Sequence, residues 1–195
     1  MDENNKIVAR KYYAQAEYFI VAAELASKHS KTKFNENPVA YKNFEIVIVG
    51  THHAFSAELL IKGIMFFHKG NHPKCHEIKD LLNHESCRKL KETIKNEFQP
   101  KIHISYSKEL LETQLNQYLN NLDKKDKFEN KEIETLNKII STFEFGSFDY
   151  FLELHSNHFV KMRYACEKDP PPLDMNFTSF LNERLRTELK KLLRL

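Results

Sequence analysis

A chain of 195 residues is long enough to bury a core without disulfides or metals, so one helical domain over residues 1–195 is the expectation. Only four glycines and six prolines occur, too few turn residues for an all-β chain, and no run approaches the ~18 apolar residues that a membrane span needs. The net charge of +3, from 30 basic and 27 acidic side chains, is too balanced to name a polyanion partner by itself.

The first helical pattern covers about Lys6 to Lys28, where Ala9, Tyr13, Ala16, Ile20 and Ala23 recur in steps of four and three. A polar stretch with Pro38 leads into a second helix, about Val39 to His68. That helix carries two stripes at once: Ile48, His52, Phe55, Leu59, Gly63 and Phe66, and beside them Val47, Thr51, Ala54, Glu58, Ile61 and Met65. A helix apolar around most of its circumference is packed on several sides, and a carboxylate on such a face needs a cation. Lys62, four residues after Glu58, is the local candidate.

Gly70, Asn71 and Pro73 break the second helix. A short amphipathic segment with Ile78, Leu81 and Leu82 follows, and Ser86 then caps a helix carrying Leu90, Ile94 and Phe98 that ends before Pro100. Ser107 with Glu109 opens the next helix, whose Leu111, Leu115, Tyr118 and Leu122 share a face. Asp123 to Lys131 is a mixed charge run read as an exposed connection. Beyond it Ile133, Leu136, Ile140 and Phe143 mark a helix that stops near Gly146, and Ser147 restarts the chain. The next helix, Phe148 to about Glu167, has a stripe of Phe148, Phe151, His155, Phe159, Met162 and Cys166 and is halted by Pro170 to Pro172. A final helix buries Phe177, Leu181, Leu185, Leu189 and Leu192 and turns a basic face outward with Arg184, Arg186, Lys190, Lys191 and Arg194.

The 15 phenylalanines and eight tyrosines fall mostly on these stripes, which is a core signature rather than a base-stacking surface. Ten histidines are unusual: below pH ~6.5 many would charge and make a near-neutral surface basic. Cys75 and His76 with His84 and Cys87 lack the spacing of paired zinc ligands, and solvated loop and cap positions account for them, so no metal is expected. His52 and His155 read as hydrogen-bonded core histidines, and Cys166 as a buried thiol. Three widely spaced cysteines and no apolar leader point to a cytoplasmic chain with no membrane partner. The common phosphate-loop, nucleophile-elbow and metalloprotease signatures are missing, and no cofactor is expected.

Three separated strings remain: Ala54-Phe55-Ser56-Ala57-Glu58-Leu59-Leu60-Ile61-Lys62, then His76-Glu77-Ile78-Lys79-Asp80-Leu81-Leu82, then Arg163-Tyr164-Ala165-Cys166-Glu167. In this order they resemble the HEPN superfamily of small helical domains, over about a third of the chain. The resemblance implies an all-α antiparallel bundle with additional helices, frequent homodimerisation, and RNA as substrate or partner, often in toxin–antitoxin or defence systems with a partner protein. Ribonuclease members carry Arg followed after four to six residues by His. None of the six arginines here has a histidine at that distance. Arg163, Tyr164 and Glu167 stand in its place. Arg163 is suited to hold a phosphate bidentately and Glu167 to orient it or act as base, with His76 as the third candidate catalytic group and Glu58, Lys62 and Tyr164 as binding residues. Two competing readings are a non-catalytic HEPN-like module that binds a partner protein or a nucleotide, and a structural scaffold in which Arg163, Glu167, Glu58 and Lys62 form an ion network that holds helices in register.

Overall fold

Alanine decides how the first two helices meet. In the computed structural model, which describes residues 2–33, 38–104, 107–122, 126–156 and 174–195, helix α1 spans Glu3–Lys33 and buries Ala9, Ala16 and Ala23 completely. Small side chains at seven-residue intervals let α1 lie close along α2 (Pro38–Lys69), the most extensive pairing among the described helices. Helix α1 runs past its expected bounds at both ends, where polar residues extend the helix without joining the stripe, and α2 exceeds its own by one residue at each end.

From His53 to Phe67 most residues of α2 are buried and the rest are half-buried, so it is the central helix that its double stripe implied. Helix α9 (Met175–Leu193) packs on α2 and also touches α1. Gly63 sits where the three meet: a Cβ there would lie 2.8 Å from Leu189 Cδ2 and 3.0 Å from Tyr12 Cβ. Gly63→Ala gains about 1 kcal/mol in helix propensity but forces an overpacked crossing that costs about 1–3 kcal/mol, and Gly63→Val costs more. Thermal unfolding should therefore rank native above the alanine variant and that above valine. An alanine variant as stable as native would mean that Leu189 steps aside freely.

The middle of the chain forms shorter helices: α3 (Ile78–Asn83), α4 (Arg88–Glu97), α5 (Pro100–His103), α6 (Lys108–Asn121), α7 (Lys127–Thr142) and α8 (Phe148–Ser156). Ser86 is not the cap of α4. A 3-10 turn at Glu85–Cys87 precedes that helix, and His84 caps the turn by accepting the Ser86 N–H through Nδ1. Ser107 does cap α6, accepting from Leu110 N, and Ser147 caps α8, accepting from Tyr150 N. Between α7 and α8 the chain turns at Gly146, whose φ of 86° is the left-handed conformation a glycine tolerates.

Of the mixed charge run, Asp126, Asn130 and Lys131 are exposed as expected, while Glu129 is buried, as is Glu132 just beyond it. Helix α7 begins at Lys127, and Tyr118 Oη of α6 donates to Glu132 Oε1 at 2.8 Å. Burial and the Glu132 charge push that phenol well above its ordinary pKa. The same core continues to where α4, α5, α8 and α9 converge: the Phe98 ring is 5.8 Å from Phe148, 5.6 Å from Phe177 and 5.5 Å from Phe180. Phe98, Phe148, Phe151 and Phe177 are thus core, as their spacing implied. Among the described residues the secondary structure is entirely helical, and no helix is long and apolar enough to cross a membrane.

Candidate functional site

Helix α2 presents Glu58 and Lys62 one turn apart on a face that α1 and the following loop cover. Lys62 Nζ lies 2.7 Å from Glu58 Oε1, and the side chains are only 8% and 7% exposed. The same Oε1 receives His76 Nδ1 at 2.9 Å, from a ring that is 60% exposed. A carboxylate only accepts, so the shared contact places the proton on Nδ1 and turns Nε2 outward. Oε2 of Glu58 is buried with no hydrogen-bond partner among the described residues. His76 therefore does not cap α3. The N-cap position belongs to Glu77, whose side chain makes no capping bond.

The loop that brings His76 to Glu58 is fixed at both ends. Gly70 closes α2 with a φ of 72° and its N–H on Phe66 O, and a Cβ there would lie 3.0 Å from the side-chain oxygen of Asn5. His72 donates from Nδ1 to Pro73 O at 2.9 Å, which leaves Nε2 to accept the Tyr12 hydroxyl at 2.6 Å. Burial, and then the charge of Glu58, raises the Tyr12 pKa. On the far side Lys79 N donates to Ser156 Oγ at 2.9 Å and Lys79 Nζ pairs with Glu153 at 2.8 Å, tying α3 to α8. Tyr12, His72, Lys79 and Glu153 thus frame the site. Motif spacing does not point to them, because their contacts depend on how the loop runs and where the helices cross.

Comparison with protein-family models, curated proteins and solved structures finds no match. Arg163, Tyr164 and Glu167 lie outside the described residues, as do Phe159, Met162 and Cys166. Of the six expected site residues, the structure brings Glu58, Lys62 and His76 together.

The histidine and cysteine set disperses. Cys75 Sγ lies 3.8 Å from Asp80, His76 is on Glu58, His84 caps Ser86, and Cys87 is wholly buried with its thiol pushed up to about 11. Among the described residues no three His, Cys, Asp or Glu side chains are arranged to hold a metal ion. His155 accepts the buried Asp174 N–H through Nε2, and His52 donates to Ile48 O, so both act as hydrogen-bonded helix residues. The basic face of α9 is partly spent on pairing. Arg186 is bidentate on Glu17 of α1, and Arg184 lies 3.1 Å from Glu97 of α4, without the alignment of a hydrogen bond.

Proposed function

We propose that this chain is a HEPN-like, homodimeric bundle that acts on RNA, with metal-independent strand cleavage at the site built on Glu58 and His76. The observation that carries the reading is the exposed His76 ring held through Nδ1 by a carboxylate that is itself 7% exposed. A buried carboxylate behind an accessible imidazole fixes the tautomer and aims the basic nitrogen at solvent. In RNA cleavage His76 Nε2 takes the 2′-hydroxyl proton, the 2′-oxygen attacks the adjacent phosphorus, and the bond to the 5′-oxygen breaks. That oxygen leaves with a proton from solvent and a 2′,3′-cyclic phosphate remains. Arg163 is assigned to the charge that develops on the phosphate, Glu167 to orienting it, and Tyr164 to binding beside them. The setting implied by the resemblance is a toxin–antitoxin or defence system with a partner protein.

A second reading has an observation of its own. Glu58 and Lys62 are both buried, and a buried pair of this kind also suits a purely structural role, holding α2 and the loop in register in a non-catalytic module or scaffold. The test is incubation with tRNA and mixed cellular RNA in EDTA, comparing native protein with His76→Ala and Arg163→Ala. Cleavage that survives the chelator and falls at least ~100-fold in both variants supports the ribonuclease. Intact RNA with native protein, together with a lower unfolding midpoint for His76→Ala, moves the site to the structural reading.

A further inference from the structure

The solvent side of α1 is apolar where a surface helix is normally polar. Among the described residues seven large hydrophobic side chains are exposed, and four of them, Ile7, Tyr18, Val21 and Leu25, lie on this one helix at 47%, 78%, 49% and 60% exposure. With Lys11, Ala14 and Lys28, also exposed, they recur in steps of four and three from Ile7 to Lys28. The same spacing on the opposite side of α1, at Ala9, Ala16 and Ala23, is the seam that α2 fills. Exposed apolar residues scattered singly need no partner, but a continuous line of them, about 30 Å long at the helical rise, marks an interaction surface.

The polar residues in and beside the stripe select its occupant. A parallel copy of α1 would bring Lys11 onto the partner's Lys11 and set Arg10 against the partner's Gln15, a like-charge contact with nothing to offset it. An antiparallel copy, related by a two-fold axis through the middle of α1, sets Ile7 against the partner's Leu25, Lys11 against its Val21 and Ala14 against its Tyr18, so a small residue meets the large ring. It also brings Arg10 beside the partner's Glu24, twice by symmetry, and both residues are exposed. Glu17 meets the partner's Glu17 across the axis, but Arg186 already neutralises it in a bidentate pair. Shape and charge along the stripe are thus complementary to the stripe itself, run in the opposite direction.

We propose that the outer face of α1 is a self-association surface, on which α1 of a second copy of this chain packs antiparallel through Ile7, Ala14, Tyr18, Val21 and Leu25, flanked by Arg10–Glu24 pairs. The surface gives the homodimer of the functional reading its contact, and so rests on that reading's dimer but not on its cleavage chemistry.

Sedimentation equilibrium of the full chain tests it, with RNA cleavage measured on the same samples. Native protein should form a dimer. Tyr18→Glu, at a position 78% exposed, should keep native helicity by circular dichroism and raise the dissociation constant at least ~100-fold, because it puts a charge into both central layers. Arg10→Glu should raise it about tenfold, and adding Glu24→Arg should return it to within about threefold of native. That rescue is specific to the antiparallel register, since a parallel pair never brings the two positions together. A native chain that stays monomeric at about 100 μM overturns the proposal and leaves the stripe to a different protein. So does a dimer that Tyr18→Glu leaves intact, or one in which the charge reversal is not rescued. A dimer along α1 with uncut RNA would remove the ribonuclease and keep the seam, and RNA cut by a monomer would do the reverse.

Discussion

Replacing Lys62 by methionine is expected to lower stability by about 3–5 kcal/mol, because it leaves Glu58 charged and buried with one oxygen unbonded. Among the described residues Lys62 is the nearest cation, at 2.7 Å, and His76 reaches the carboxylate from a ring that is mostly in solvent. Coulomb attraction does not make such a pair a large net stabiliser, since both groups lose hydration, but deleting one partner exposes the whole desolvation cost of the other. The double variant Glu58→Leu with Lys62→Met should then recover most of the loss. Urea unfolding at neutral pH measures all three chains. A single variant within about 1 kcal/mol of native would mean that water or a rearranged side chain relieves Glu58.

Acidification should be the second large effect. Burial holds His155 down to about 3, and burial with the neighbouring His52 holds His53 down to about 4, against an ordinary value of 6.5. Each ring therefore binds its proton more weakly in the folded chain. Below pH 6.5 the unfolded chain takes up protons that the folded chain refuses, so this stability is complete above 6.5 and is lost progressively towards the folded values. Between pH 7 and pH 5 the loss is about 2 kcal/mol for each histidine, about 4 kcal/mol together. His155→Gln keeps an acceptor for the Asp174 N–H and removes one titration, so its loss over that interval should be about half the native one. Equal losses in the two chains would assign the acid sensitivity elsewhere. These two rings also stay out of the basic surface that the histidine count alone implied.

What could be read from the residues was what neighbours along one helix determine. The central position of α2 followed from its double stripe, and the Glu58–Lys62 pair from a four-residue spacing. His76 on Glu58 could not be reached that way, because eighteen residues and a loop with a left-handed Gly70 separate them. Glu129, inside the charge run, read as solvated because charge runs usually are, yet it is buried, and next to the run Glu132 is buried too, where it accepts the hydroxyl of Tyr118 from another helix. Ser86 had the right chemistry for a cap, but a 3-10 turn capped by His84 precedes α4 and holds Ser86 inside it.

The reach of α9 also bears on the order in which the chain assembles. Helices α1 and α2 are consecutive, so their close alanine seam needs only a short loop to close. The contacts of α9 span 129 positions from Asn182 to His53 and 169 from Arg186 to Glu17, and they cannot reward the chain until nearly all of it is present. During synthesis the hairpin of α1 and α2 therefore waits with the Gly63 side of its seam uncovered, a surface that a chaperone, or a second nascent copy, meets before α9 does.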